Sequence, residues 1–222
     1  MKNPIQIKNL ILLSILAMMC AFACKKDKTI HTVHLDDFII AGKGLGQGIK
    51  YVNVEPDIIV SLNPWLKQDT SISLDLNADE ADDLKITIHK SNPGMLGMGF
   101  SSNNLVPLGN NEVCIVANNI DTISGNCHHS SLTWIDTLTA SDTINGHRLW
   151  STNESLFSSY LWVIEQCSIS DGLWQNVIHT NEKYLGFKIV KGEKAYYGWI
   201  GLFMSGSGIT ITDYAFTEEY EE

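Results

Sequence analysis

The chain has 222 residues, 44% of them apolar, and a formal charge of −10. That apolar share can fill a sizeable core, which excludes a disordered acidic polypeptide. The negative balance argues against nucleic acid and anionic lipid as partners.

The amino terminus comes first. Lys2 and Lys8 flank a short basic region, and residues 10–23 (LILLSILAMMCAFA) carry no charge. The run is too short to span a bilayer and fits the apolar stretch of a signal peptide. It ends in Ala21-Phe22-Ala23-Cys24, with small residues at −1 and −3. This resembles the lipobox of bacterial lipoproteins, in which the cysteine is acylated and becomes the mature terminus; Ala21 departs from the usual Leu. The resemblance implies a signal peptide over 1–23, lipidation of Cys24, and attachment to the membrane through the lipid. Each buried methylene of the acyl chains contributes about 0.8 kcal/mol to anchoring. The expected location is the cell envelope, on the outer membrane of a Gram-negative bacterium. Residues 24–31 read as a polar tether. Cleavage leaves 199 of the 222 residues, at a formal charge of −12 once Lys2 and Lys8 are gone.

Residues 32–40 mix β-branched and apolar side chains and predict a first strand. The GKGLGQG segment that follows lacks the helix and the Lys-Ser/Thr of a phosphate-binding loop, so it reads as a turn. Residues 50–62 predict a strand pair, or one strand broken at Pro56, and Asn63-Pro64 ends it.

Residues 71–88 (SISLDLNADEADDLKITI) are the most informative stretch. Ile72, Leu74 and Leu76 alternate with polar residues on entry, and Leu84, Ile86 and Ile88 alternate on exit, which predicts two strands. The loop between them concentrates hard oxygen ligands. Asp75, Asn77 and Asp79 fall at positions 1, 3 and 5 of a calcium loop, Ala81 offers its carbonyl at 7, and Asp82 or Asp83 closes the shell. The segment resembles the D-x-[DN]-x-D-G-x-x-D loops of secreted bacterial proteins, which bind calcium. Glu80 stands where Gly is usual, and Ile86 stands where a full EF-hand has its bidentate acid. The expectation is a weak structural Ca2+ site, with a dissociation constant on the order of 10⁻⁴–10⁻³ M. The competing reading is an acidic hairpin loop that uses Asp and Asn for turn chemistry.

Ser91-Asn92-Pro93-Gly94 is a turn signal. Residues 95–100 are apolar but Gly-rich, 112–117 predict a short strand, 120–134 read as loop, and 134–143 show only weak order. Asn145-Gly146 is a hairpin signal. Residues 157–166 fit a strand or a buried helical turn, and Asp171-Gly172 marks another turn. Three strands close the chain: 184–190, 194–204 and 209–216, separated by short turns.

The pattern YLGFKI…KAYYGWIGLFMSGSGITITDYAF resembles the closing strands of a large group of secreted or lipid-anchored bacterial proteins of uncharacterised function. They share Y-x-G-[FI]-x-[FIV]…YGW[IV]-x-L…DYA[FY], often with an upstream acidic loop of the kind that DLNADEADD echoes. The resemblance covers about a quarter of the chain. It implies an export context and a jelly-roll-like antiparallel β-sandwich, and it transfers no catalytic residue. The pattern of short strand signals separated by turns argues independently for one all-β domain over 32–222.

Cys114, Cys127 and Cys167 remain after lipidation. In an exported protein two of the three are expected to pair, with Cys114–Cys127 favoured because it closes a short loop. Zinc on Cys127-His128-His129 with Cys114 is the lesser reading, since three adjacent residues do not converge on one ion. A Cys–His nucleophile from the same residues lacks an orienting partner. The tryptophans and tyrosines read first as core and strand-face packing; Trp150 and Trp174 lie beside turns and would serve a glycan-stacking surface if exposed. The expected role is non-enzymatic, in binding or envelope architecture, with a glycan or an envelope protein as partner. The alternatives are a glycan-binding module and a carbohydrate-active hydrolase using Asp36-Asp37 or Glu154 with Glu165.

Overall fold

A computed structural model of the chain describes residues 38–46, 48–61, 68–91, 98–124, 127–163, 167–174, 183–205 and 208–218. Its strands are β1 (Phe38–Ile40), β2 (Ile49–Ser61), β3 (Gln68–Leu74), β4 (Leu84–Ser91), β5 (Met98–Pro107), β6 (Glu112–Ser124) and β7 (Cys127–Ile135). Then follow β8 (Thr143–Asn145), β9 (Trp150–Ser151), β10 (Ser155–Val163), β11 (Cys167–Asp171), β12 (Lys183–Lys191), β13 (Lys194–Ser205) and β14 (Gly208–Thr217). Among the described residues there is no helix. The signal segment and tether, with Cys24, Asp36 and Asp37, lie outside the described residues.

The main sheet runs β2-β14-β13-β12-β6-β7-β10-β5-β4-β3, with β9 beside β6 and β11 beside β10. It folds over on itself. The first part of β6 pairs with β12 and β9, and the remainder pairs with β7, so one strand belongs to both layers. β2 and β3, at the two ends of the order, approach each other. The result is the expected all-β antiparallel sandwich, in a barrel-like form. One pairing, Leu156 with Trp134, is parallel.

Period-2 alternation decides which side chains enter the core. In β12, Leu185, Phe187 and Ile189 point inward, against Ile86, Ile88 and Leu105 from the other layer. Tyr184 of the same strand points outward into a second cluster with Ile39, Leu138, Ile144, Tyr197 and Trp199. The small β1–β8 sheet supplies Ile39 and Ile144 and so covers the outer face of β12 and β13. The glycine-rich segment after β1 continues this cover: Lys43 O accepts the Trp199 indole N–H at 3.2 Å.

Several elements differ from expectation. Residues 120–124 and 127–134, read above as loop, are strand in β6 and β7, although NNIDTIS and CHHSSLT show no clean alternation; ladder pairing across the sheet orders them. Residues 50–61 fall in one strand with a break in register at Pro56, one of the two readings above, since β2 lies at the sheet edge, where a proline is tolerated. Asn145-Gly146 turns the chain as expected, with Asn145 Oδ1 accepting His147 N–H at 3.0 Å. It does not close a hairpin: β8 pairs with β1 and β9 with β6. Residues 155–163 are strand, not a helical turn.

The Cys114–Cys127 disulfide is a correction. Cys114 is a free, buried thiol. In the β6–β7 hairpin Cys127 pairs with Ser124, and Cys114 sits ten residues earlier on the same strand, where it pairs with Trp150. Ten residues of strand span roughly 33 Å, far beyond disulfide reach. The same separation keeps Cys114 from a zinc site with Cys127, His128 and His129.

Gly198 shows how tightly the inner face packs. A Cβ there would lie 2.2 Å from Phe187 Cζ, and Phe187 is fully buried and cannot swing clear. Gly198→Ala is therefore expected to lower stability by about 1–3 kcal/mol. Adding Phe187→Leu in the same chain should recover part of that loss. A Gly198→Ala chain that melts like the parent would refute this packing.

Candidate functional site

The acidic loop joins β3 to β4 and bends sharply. Ala78 and Glu80 both take left-handed conformations, at φ of 60° and 68°. Glu80 occupies the position where Gly is the unstrained choice, so the loop holds it there through other contacts. Those contacts come from the carboxylates. Asp75 Oδ1 accepts Asp79 N–H at 3.2 Å, and Asp75 Oδ2 accepts Glu80 N–H at 2.9 Å. Asp79 Oδ1 accepts Ala81 N–H at 3.1 Å. These are the local turn bonds that Asp forms readily.

Asp83 behaves differently. It is 4% exposed and acts as a strut. Its Oδ2 accepts Leu76 N–H at 2.9 Å, and its Oδ1 accepts the Asn111 amide at 2.9 Å. The Asn77 amide donates to both oxygens at 3.2 Å. Asn111 is itself buried, and its Oδ1 accepts Val190 N–H at 2.9 Å. One chain of bonds thus links the acidic loop, the β5–β6 connection and β12. Burial pushes the Asp83 carboxyl above its ordinary value, and the donors from Leu76 and Asn111 work against that rise.

The loop takes its counter-charge from within the protein. Lys191, the last residue of β12, places Nζ 2.8 Å from Asp79 Oδ2. Its hydrogen bond holds the Asp79 carboxyl below the usual value, and Asp79 in turn holds the lysine above its own. Lys191 and Asn111 carried no functional signal in the sequence. Both lie far along the chain from the loop, and only the tertiary fold brings them to it.

The expected calcium ligands can now be placed. Asp75, Asn77, Asp79, Ala81, Asp82 and Asp83 share one loop but do not gather as one shell. Asp75 caps backbone donors, Asp79 holds Lys191, Asp83 is turned into the core, and Asp82 is exposed. Among the described residues no three His, Cys, Asp or Glu side chains are grouped to hold a metal. As they stand these groups do not fit a calcium site.

The other candidate residues are also placed. Trp174 is fully buried and meets Phe157 edge-on, with ring centroids 5.4 Å apart. Trp150 is half-buried, its indole N–H donates to Asn145 O at 3.1 Å, and Lys188 Nζ lies 5.2 Å over its ring. Neither offers an open stacking face, so the pair serves packing and does not form the alternative glycan platform. Glu154 is exposed and accepts the Asn104 amide, while Glu165 lies outside the described residues. The Cys114 thiol is pushed up to about 12, by burial first and by the Asp136 carboxylate second, so it stays protonated at neutral pH.

No known protein family, curated protein or solved structure matches the chain.

Two measurements test the loop. Asp83→Asn puts an N–H₂ group where the carboxylate accepts, against the N–H of Leu76 or the amide of Asn111, which Val190 holds in place. The expected loss is about 1–3 kcal/mol at neutral pH. Because the folded carboxyl binds its proton more tightly than the unfolded one, parent stability should also fall as pH rises through the window from the ordinary carboxylate value to the raised one. That share of the pH dependence should vanish in Asp83→Asn; an unchanged profile would show that Asp83 does not titrate in that window. Calcium supplies the second measurement. A site with a dissociation constant of about 1 mM would add about 1 kcal/mol in about 5 mM calcium, or about 2–4 °C in melting temperature. Superimposed melting curves in calcium and in chelator are expected; a rise lost in Asp79→Ala would show the loop rearranging around the ion.

Proposed function

We propose that the protein is a lipid-anchored component of the cell envelope, acting as a binding or structural domain and not as an enzyme. The observation that carries this reading is how the domain uses its acidic side chains. Asp83 clasps two connections to β12. Asp136 pairs with Arg148 at 2.9 Å. Asp142 caps Thr139, which holds its carboxyl below the usual value. Asp213 accepts from Tyr51 and Thr212. Each of these carboxylates is spent on holding the fold. The one buried thiol with described surroundings is protonated, and so a poor nucleophile.

The anchor reading rests on the apolar run of residues 10–23, its end at Ala21-Phe22-Ala23-Cys24, and the polar tether behind it. An acidic domain held a short distance from the membrane is repelled by anionic headgroups and so presents its surface away from them. The resemblance of the closing strands to secreted and anchored bacterial proteins fits the same context.

Metabolic labelling with a palmitate analogue, followed by membrane fractionation, tests this proposal. The parent chain should label and sediment with membranes. Cys24→Ser should lose the label and leave the membrane fraction. A labelled, membrane-bound Cys24→Ser chain would overturn the anchor assignment.

A further inference from the structure

Asn145-Gly146 is the single Asn-Gly pair of the chain, and the fold does not use it to close a hairpin. Asn145 is the last residue of β8 and pairs with Phe38, while the chain beyond it leaves for β9 beside β6. Gly146 therefore lies outside any ladder. Asn145 and Gly146 are half-buried and His147 is exposed, so water reaches the turn. The Asn145 side chain forms an Asx turn, in which its Oδ1 accepts His147 N–H at 3.0 Å. Its amide nitrogen donates to no group among the described residues.

These features suit attack of the main chain on the Asn145 side chain. Gly146 has no side chain to shield its backbone nitrogen or to restrict its φ and ψ. The His147 N–H polarises the Asn145 carbonyl and stabilises negative charge as it develops on Oδ1. Hydroxide removes the Gly146 N–H proton, and the nitrogen attacks Asn145 Cγ. The bond from Cγ to the side-chain nitrogen breaks, ammonia leaves with a proton from water, and a cyclic succinimide remains. Water then opens the ring. Breaking the bond from Cγ to the Gly146 nitrogen gives aspartate at 145. Breaking the bond from the original main-chain carbonyl to that nitrogen gives isoaspartate. The net change is loss of ammonia and gain of water, with no oxidant and no cofactor.

We propose that Asn145-Gly146 is a self-modification site, which deamidates in the folded domain and loosens the β1–β8 cover. Ile144, the neighbour of Asn145, is fully buried in the outer aromatic cluster with Ile39 and Trp199. Asn145 O accepts the Trp150 indole N–H at 3.1 Å and the Arg148 N–H at 3.3 Å. An isoaspartyl link runs the main chain through Cβ and Cγ and turns that carbonyl into a side carboxylate, so neither donor keeps its partner in place. Either product also adds a negative charge to the turn that carries Arg148. That guanidinium already holds Asp136 at 2.9 Å and reaches Asp142 at 4.0 Å. The added charge therefore meets a cation that two acids already occupy. This site does not depend on the lipid anchor or on a binding role for the domain.

The test uses the full chain in detergent, folded and, in parallel, unfolded in urea, both held at mildly alkaline pH. Peptide mass spectrometry follows each Asn over time, and methyltransferase labelling reads isoaspartate. In the folded chain Asn145 is expected to deamidate ahead of the other mapped Asn residues, within about tenfold of its rate in the unfolded chain. Gly146 does not take a left-handed backbone, so Ala can adopt its conformation. Gly146→Ala should keep the parent melting temperature and slow the reaction by about tenfold or more. The deamidated fraction, separated by its added charge, should melt below the parent. Asn145 that stays intact in the folded chain, a Gly146→Ala chain that deamidates at the parent rate, or a deamidated fraction that melts like the parent would each overturn the proposal.

Discussion

Asp83, buried among three donors, is the contact on which the two layers of this sandwich depend. Its carboxylate ties Leu76 and Asn77 of the acidic loop to Asn111 after β5, and Asn111 passes the link to Val190 in β12. Its backbone continues the same seam, with Asp83 N–H donating to Leu74 O at 2.8 Å and Leu108 N–H donating to Asp83 O at 2.9 Å. A charge buried this deeply is tolerated only when its lone pairs are met. That requirement sets the path of the loop, the position of the β5–β6 connection and the end of β12 together.

The second constraint is the outer aromatic cluster. Tyr184 and Trp199 meet nearly perpendicular, with centroids 5.2 Å apart, and Tyr51 lies 6.1 Å from Trp199. A sheet face bearing these rings must be covered, and β1, β8 and the glycine-rich segment cover it. Gly44 is the clearest case: a Cβ there would lie 2.3 Å from the Tyr51 ring. The glycines of this segment therefore serve close approach and turning, not phosphate binding. Much of the tryptophan content is spent in the same way, on packing rather than on display.

Charge is arranged economically at the loop end of the sandwich. The loop's acids would repel one another if left open. Asp75 and Asp79 turn toward backbone N–H groups, and Lys191 adds a full positive charge. An exposed ion pair of this kind contributes little on its own. Its importance is local, since it fills the role that an external cation would otherwise take. It also places Lys191 in the lining of a neighbouring cavity.

By itself the sequence determined the all-β class, the three closing strands and the two strands flanking the acidic loop. Each is written in local periodicity or in a contiguous motif, and neither needs a distant partner to be read. The tertiary structure alone decided that Asp83 is a strut and not a ligand, because Asn111 reaches it from 28 residues away and is itself held by Val190. It decided that residues 120–124 and 127–134 are strands, because hydrogen bonds across a sheet order a polar segment that has no alternation of its own. It also decided that Cys114 stays free, since ladder register, not sequence distance, sets which cysteines can meet.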